Sequence, residues 1–327
     1  ALRKVAMLRF AADYRTLLWM FVFAPGLVIL QYARPDLLPY LSWLSFYFAI
    51  AAGVIAHNHL HSPTFKSKAL NEFFGNWISV FYGYPTFAWI PTHNLNHHKF
   101  VNKAGDATIT WRYTNKHNFL VAATYFFVSS YFQKGPIDEF IARAKVRNPS
   151  QYRKIIGQYV IVFGSHAVML ALAIRLHGIG TGFAVWGLTM GAPALVSLWT
   201  IMTFNYDQHV HTDPWSKLNH SRNFVGKTLN FLLFNNGYHT AHHEVAGLHW
   251  SKLPELHAKL APEIHPDLLQ KSLWLYWFKN YVLAPFFPSL GTTQIGRAPF
   301  EAPDGKPVDL ATAEVGLGDA GTNAARV

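Results

Sequence analysis

The chain has 327 residues, of which 51% are hydrophobic and 16% aromatic, and its formal net charge at pH 7 is +11. Only 14% of the residues are charged, against roughly 25% in ordinary soluble domains. The sequence therefore lacks the polar surface of a soluble protein and predicts an integral membrane protein. The chain contains no cysteine, which excludes disulfides, thiolate-held zinc and cysteine-ligated iron–sulfur clusters.

Four apolar segments are close to the length that crosses about 30 Å of hydrocarbon. They are residues 17–33, 37–56, 155–174 and 181–204. The short connections RPD and HGIG lie within the first and second pair, so each pair predicts a helical hairpin. The three long segments outside the hairpins carry all but two of the 28 basic residues. Cytoplasmic loops are the ones enriched in Lys and Arg, so both termini are predicted to be cytoplasmic.

Three other stretches complete the predicted organisation. Residues 73–90 and 118–132 are apolar, but they are interrupted by Gly and Pro or are short, so we expect helices that lie in the membrane interface. Residues 297–327 are poor in aromatics and rich in Ala, Gly, Pro and Asp, which predicts a disordered tail. Residues 1–296 are then predicted to form one domain. The basic cytoplasmic face suits anionic lipid or an acidic partner protein, and nothing indicates nucleic-acid binding.

The histidines form four groups. They are HNHLHSP from His57, HNLNHHKF from His93, NYDQHVH from Asn205 and HTAHH from His239. All four groups fall in the predicted cytoplasmic segments, and two of them directly follow a predicted span. Histidine is both the commonest metal ligand and the usual proton-transfer group near neutral pH. The groups therefore predict a site just outside the hydrocarbon.

The spacing within the groups favours metal binding. Residues three or four apart share one helix face, and this holds for His57 with His61, His93 with His97, and His239 with His242. His98 and His243 lie about 100° further round and could reach a neighbouring ion. Together with His209 the count is nine imidazoles, which is too many for one ion and suits two. Imidazole binds iron, zinc, copper and nickel, so the composition does not name the metal.

Further polar residues near the groups are assigned with less specificity. Isolated histidines are expected to have structural roles: His166, His177 and His257. His59 points about 200° away from His57 and His61 on a helix and is left out of the ligand set, while His211 stays open. Four carboxylates could orient ligand imidazoles: Asp106, Asp207, Asp213 and Glu244. The DATI segment that begins at Asp106 is equally compatible with a simple Asx-type turn.

The order His-x3-His, His-x3-His-His, Asn-x3-His and His-x2-His-His across four spans resembles the membrane fatty acid desaturase superfamily. WIPTHNLNHHKFVN is similar to the second histidine box of that family, and GYHTAHHEVAGLHWSKLPELH is similar to the third. NYDQH is also similar to the NY-x-EH stretch of the related alkane hydroxylases, with Gln208 where those proteins carry Glu. The resemblance covers residues 17–287.

This resemblance implies an all-α integral membrane fold, with four transmembrane helices in two hairpins and a cytoplasmic helical cap that holds a di-iron site. The implied iron ligands are the nine imidazoles and, through water, one amide: His57, His61, His93, His97, His98, His209, His239, His242, His243 and Asn205. The implied cofactors are two iron ions, with O2 as co-substrate. No catalytic residue beyond the metal ligands is implied.

The activity that the resemblance implies is desaturation of a fatty-acyl or lipid chain. Hydroxylation of an alkyl chain and oxidative decarboxylation occur in the same superfamily and stay open, as does a multi-pass metal-binding or transport protein without redox chemistry. The chain has no cysteine and no HPGG haem-binding segment. We therefore expect electrons from a separate carrier of the ferredoxin, rubredoxin or cytochrome b5 type, together with its reductase. The expected location is a bacterial inner membrane.

Overall fold

The computed structural model describes residues 7–306, 308, 310 and 315–317, and these are mostly helical. The α-helices are α1 (Asp13–Leu18), α2 (Ala24–Ala33), α3 (Leu38–His61), α4 (Lys68–Tyr82), α5 (His98–Phe100), α6 (Phe119–Arg147), α7 (Pro149–His177), α8 (Ile179–Trp186), α9 (Ala192–His209), α10 (Lys227–Leu232), α11 (His239–Glu244), α12 (Leu253–Leu260) and α13 (Leu273–Trp277). Four π-helical stretches interrupt or extend them: Trp19–Phe23, Ile90–His97, Gly187–Gly191 and Phe278–Leu283. Two short strands, β1 (Asn223–Phe224) and β2 (Leu269–Gln270), pair in parallel with Asn223 opposite Leu269.

Four helical stretches in the described part of the chain are long and apolar enough to cross a membrane. They are Asp13–Ala33, Pro35–His61, Pro149–His177 and Ile179–His209. Each contains one predicted segment, so the predictions of four spans and of an all-α membrane fold are confirmed. Gly178, in the predicted HGIG turn, ends α7 with a φ of 78°, a left-handed conformation that glycine adopts without steric cost.

The chain divides into two compact units. The first unit comprises the chain up to Phe87 together with Asn148–Ile201, and the second comprises Ala88–Arg147 together with the chain from Met202 onwards. Both units take residues from inside the range 1–296, which we predicted as one domain; that boundary stays a prediction.

The core of the first unit is apolar, with a few paired polar groups. Val28, Ala173 and Met190 belong to one buried cluster. Ser45 Oγ donates a hydrogen bond to Gln31 Oε1 at 2.9 Å, and both side chains are buried. Hydrocarbon offers no hydrogen-bond partner, so polar groups on spanning helices must be satisfied by the protein.

Two of the isolated histidines also lie in the first unit. His166 Nε2 contacts the Val80 carbonyl oxygen at 3.0 Å, and His177 Nε2 contacts the Tyr32 carbonyl oxygen at 2.8 Å. Both rings thus bond to backbone, which agrees with the predicted structural roles.

The long helix α6 of the second unit extends well beyond the apolar stretch 118–132 that predicted it. It continues through Pro136 to Arg147. The polar continuation is amphipathic and carries ion pairs one turn apart, such as Arg143 with Glu139. Such pairs support a helix at its surface. They add no apolar length, so the polar half of α6 was not predicted from the sequence.

Part of the predicted tail, residues 297–327, packs against the second unit. The structure describes residues 297–306, 308, 310 and 315–317 of it, and the rest of the predicted tail lies outside the described residues. Leu317 is fully buried, and its backbone N–H donates to Glu139 Oε2 at 3.1 Å. The Gly316 carbonyl oxygen accepts from Asn96 Nδ2 at 3.1 Å. Gly316 and Leu317 are therefore held against the second histidine group and α6.

Candidate metal centre

The second histidine group lies on the π-helical stretch Ile90–His97 and the short helix α5 that follows it. A π-helix makes i to i+5 hydrogen bonds and is frequent at functional sites. Immediately after α5, Val101 and Asn102 adopt positive φ angles of 45° and 62°. A β-branched residue in this conformation is strained, so the chain turns sharply at the end of this group.

The other ligand candidates of the second unit lie at helix ends. His209 is the last residue of α9, and His239 is the first residue of α11, which also carries His242 and His243. The loop before α11 requires a glycine, since a Cβ on Gly237 would lie 2.1 Å from the carbonyl oxygen of Phe224. This close approach brings the histidine group that begins at His239 against β1.

Four of these imidazoles converge within the second unit: His97, His209, His239 and His243. Each offers a ring nitrogen, and these nitrogens all lie within 4.8 Å of one another. The Nε2 of His209 lies 3.1 Å from the Nε2 of His97 and 2.9 Å from that of His239. The Nε2 atoms of His243 and His239 are 3.1 Å apart.

These separations test whether a metal ion fits. A metal ~2.1 Å from each imidazole nitrogen would hold neighbouring nitrogens ~3.0 Å apart at right angles and ~3.4 Å apart at the tetrahedral angle. The observed 2.9 to 3.1 Å match the right-angle case. The four nitrogens are therefore close enough to bind one ion.

Hydrogen bonds at Nδ1 decide which nitrogen two of the rings offer. His97 Nδ1 contacts Asp106 Oδ2 at 2.8 Å, and His209 Nδ1 contacts the carbonyl oxygen of His220 at 3.0 Å. Both partners are acceptors, so each Nδ1 carries the proton and each Nε2 keeps its lone pair for a metal.

Asp106 is the centre of a buried hydrogen-bond network. Besides His97, its two oxygens accept bonds from the backbone N–H groups of Asn102 and Thr108 and from the Thr108 hydroxyl, at 2.7 to 2.8 Å. Burial opposes ionisation, but attraction to His97 and these hydrogen bonds outweigh it and hold the pKa of the carboxyl below its usual range. Asp106 is therefore a buried carboxylate that orients His97, as one of the two interpretations of the sequence predicted.

Three further imidazoles of the second unit form another cluster. His98 Nε2 lies 3.1 Å from His93 Nε2 and 3.0 Å from His242 Nε2, and the His93 and His242 nitrogens are 3.5 Å apart. Nitrogens this close repel each other unless a proton or a cation lies among them. This cluster is therefore a second candidate for metal binding.

His243 belongs to the first cluster and also lies beside the second, with its ring centroid 4.6 Å from that of His239 and 4.5 Å from that of His98. Burial lowers the pKa of His243 well below its usual value, and the neighbouring imidazoles of His98 and His239 lower it further. The ring is thus neutral at pH 7, which is the form that binds metals.

The first histidine group lies at the end of α3 in the first unit. His57 and His61 are one turn apart on this helix, with ring centroids 4.9 Å apart. His59, excluded from the ligand set, has both ring nitrogens engaged: Nδ1 lies 3.0 Å from the Thr64 hydroxyl and Nε2 lies 3.2 Å from the Asn71 carbonyl oxygen.

The remaining predicted site residues have identifiable partners. Asn205 Nδ2 donates to the hydroxyl of Tyr125 at 3.3 Å. His211, which the sequence left open, uses Nδ1 for Thr292 and Nε2 for the Asn115 carbonyl oxygen at 2.6 Å. His257 is buried, with its ring 4.8 Å from that of Tyr238.

The other three candidate carboxylates bind groups that are not ligand imidazoles. Asp207 is buried and accepts bonds from Trp277 Nε1 at 2.6 Å and from the Tyr281 hydroxyl. Asp213 accepts from the backbone of its own turn, and Glu244 lies 4.0 Å from Lys217. Their predicted role as imidazole partners has no support from these contacts.

Sequence analysis missed two residues that support the centre. The side-chain amide of Asn102 donates to the His209 carbonyl oxygen at 3.0 Å, and so ties the second group to the end of α9. His220 accepts from His209 through its carbonyl oxygen, and its ring lies edge-on to His243 at 5.2 Å. The only signal for Asn102 was its place at the end of the second box, and His220 carried none.

The family model for the fatty acid desaturases matches residues 35–287, most of the chain. The chain belongs to the fatty acid desaturase family. This confirms the family inferred from the histidine boxes, and it makes the protein an oxidoreductase of lipid metabolism by membership.

A sphingolipid delta(4)-desaturase of Candida albicans is 41% identical over 54 residues. This stretch covers 16% of the present chain and 14% of that relative, so it spans far less than two thirds of the relative's length. No solved structure matches the chain.

Proposed function

We propose that the protein is a membrane-bound di-iron oxidase that uses O2 and electrons from a separate carrier to desaturate a fatty-acyl or lipid chain. The observation that carries the proposal is the convergence of the Nε2 atoms of His97, His209, His239 and His243. Iron bound by such imidazoles supplies the activation of O2 and the removal of hydrogen from an unactivated methylene group.

The protein's own residues would hold and orient this centre. Asp106 fixes His97 through Nδ1 and adds a negative charge behind an all-imidazole ligand set. Partners of this kind raise ligand basicity and typically account for 10- to 100-fold in metal affinity. An all-imidazole donor set without thiolates suits iron, and the choice of iron over zinc follows from the family pattern.

The other proposed ligands are assigned with different support. His93, His98 and His242 would bind the second ion through their clustered nitrogens. His57 and His61 are assigned from the order of the histidine boxes, and Asn205, through water, from the family pattern. Asn205 bonds to Tyr125 through Nδ2, which leaves its amide oxygen to accept from a water molecule.

Desaturation is proposed over hydroxylation because the second and third boxes resemble lipid desaturases. The likeness to alkane hydroxylases depends on NYDQH, where Gln208 replaces their Glu. Gln208 is buried, and its Nε2 donates to the Asn236 carbonyl oxygen at 3.0 Å. A carboxylate cannot donate that hydrogen bond, so the contact with Asn236 favours Gln over Glu at position 208.

The proposed electron donor is a separate acidic protein. The net charge of +11 favours association with an acidic partner by electrostatic steering. A carrier of the ferredoxin, rubredoxin or cytochrome b5 type would supply electrons one at a time. Both termini and the histidine groups are proposed to face the cytoplasm from a bacterial inner membrane, the side on which such carriers are reduced.

Product analysis tests the proposal. Full-length protein in detergent, with ferredoxin, its reductase, NADPH and 18O2, is incubated with a panel of acyl-CoA and phospholipid substrates. We expect a product two mass units lighter than its substrate, without label. Labelled alcohol as the main product would show that the reaction is hydroxylation and not desaturation, and release of CO2 would indicate decarboxylation. His97→Ala should form no product, whereas His265→Ala, at an exposed histidine, should retain activity.

A further inference from the structure

The last turn of α9 ends with the proposed ligand His209, and its carbonyl groups have no partner within the helix. The last four carbonyls of any α-helix are left without an intrahelical N–H donor, and a buried one must find a donor elsewhere. Here the residues concerned are buried, and Asp207 and His209 are fully so. The donors that satisfy these carbonyls therefore determine where the helix end lies.

Arg222 supplies the donors for two of these carbonyls and for the carbonyl of the next residue, Val210. Its Nη1 donates to the carbonyl oxygens of Asp207 at 2.6 Å and Val210 at 3.0 Å, and its backbone N–H donates to the carbonyl oxygen of Gln208 at 2.7 Å. Arg222 thus donates hydrogen bonds to three backbone carbonyl oxygens, which lie before and after His209 in the sequence. The carbonyl of His209 itself accepts from Asn102 and from the Thr212 hydroxyl.

The guanidinium of Arg222 is only 1% exposed, a position that is costly for a charge unless it is compensated. The negative end of the α9 dipole faces it. Asp207 interacts with it electrostatically, and the ring of Tyr276 lies 5.0 Å from the guanidinium carbon. These groups offset part of the cost of burying the cation, and an apolar side chain would leave two carbonyls without donors.

The same short segment also orients the imidazole. His220, two residues before Arg222, accepts the His209 Nδ1 hydrogen bond through its carbonyl oxygen at 3.0 Å. Movement of residues 220–222 would displace both the backbone and the ring of His209. All of these residues lie in the second unit.

We propose that Arg222 is a positioning residue of the metal centre, which clamps the carboxyl end of α9 so that the Nε2 of His209 stays among the nitrogens of His97, His239 and His243. The inference rests on the proposed function for the identity of the metal. It predicts a selective effect, because Arg222 holds the end of α9, and α9 carries His209 but none of His93, His98 and His242.

The test is the release of iron to a chelator. Full-length protein loaded with iron-57 is mixed with excess ferrozine, and the loss of each ion is followed by absorbance and by Mössbauer spectroscopy. The variants are Arg222→Lys and Arg222→Met. The control is Arg143→Met, which removes a partly buried guanidinium that pairs with Glu139.

For Arg222→Met, one of two ions should be released 10- to 100-fold faster, while the spectrum of the other ion stays unchanged. Arg222→Lys keeps the charge and one donor, so its release rate should lie in between, and Arg143→Met should behave as wild type. Equal acceleration of both ions, or a rate equal to the control, overturns the positioning role. Wild-type protein that holds no metal overturns the proposed function, and this inference with it. Size exclusion and thermal unfolding show whether each variant is folded.

Discussion

Asp106 accepts a hydrogen bond from His97 Nδ1 at 2.8 Å, and this contact joins the turn after the second histidine group to an imidazole that faces three others. The bond decides the tautomer of His97. It also explains why a carboxylate is buried completely in an otherwise histidine-rich centre, since it accepts bonds from all sides and donates none.

Replacing this carboxylate by an amide should weaken the centre. In Asp106→Asn the amide NH2 would face at least one of the present donors, namely His97, the Asn102 N–H and the two donors of Thr108. We expect iron affinity to fall by about 10- to 100-fold and unfolding free energy to fall by roughly 1–3 kcal/mol. Iron titration and thermal unfolding measure the two effects. Asp213→Asn, which alters a surface turn, is the control, and equal behaviour of both variants would contradict the role of Asp106.

His98 and His243, each of which directly follows another histidine in the sequence, should both be required for metal binding. His98→Ala and His243→Ala each remove an imidazole that lies within the clusters, so both variants should bind less iron and form no product. Iron analysis and lipid mass spectrometry provide the measurements. His265→Ala serves as the reference, because His265 is exposed. His257 is less suitable as a reference, since its ring packs against that of Tyr238. Full iron content and activity in both variants would refute their assignment.

The predicted sidedness can be tested with introduced cysteines, since the chain has none of its own. Ile179→Cys lies at the start of α8, where the native side chain is 71% exposed, and should react with a thiol reagent confined to the outside of the cell. Lys217→Cys, at an exposed position, should react only after permeabilisation. The reverse labelling pattern would contradict the cytoplasmic assignment of the histidine groups.

Gln208→Glu tests why this chain departs from the hydroxylase pattern. A carboxylate at this buried position would oppose the Asn236 carbonyl oxygen instead of donating to it. We expect the free energy of unfolding to fall by roughly 1–3 kcal/mol, while the alkene remains the main product. Thermal unfolding and product mass report these separately. A shift to alcohol would show that this position selects the reaction, and unchanged stability would show that the bond to Asn236 contributes nothing.

The membrane fold, the four spans and the histidine groups could all be predicted from the amino-acid sequence. Spans follow from local composition, because twenty apolar residues partition into hydrocarbon whatever their tertiary neighbours are. Ligand spacing of three or four residues is likewise a local property of a helix, but it does not show which imidazoles share an ion. His93 and His97 lie in different clusters, and so do His239 and His242.

The residues that support the centre could be identified only from contacts between distant parts of the fold. Among four candidate carboxylates, Asp106 bonds to an imidazole, whereas Asp207, the one nearest in sequence to His209, turns to Trp277 and Tyr281. Arg222 and Asn102 reach the end of α9 from distant parts of the sequence. Such roles arise when a buried carbonyl or N–H must find a partner, and the partner is whichever side chain the fold brings within about 3 Å. Composition and spacing carry no record of that proximity.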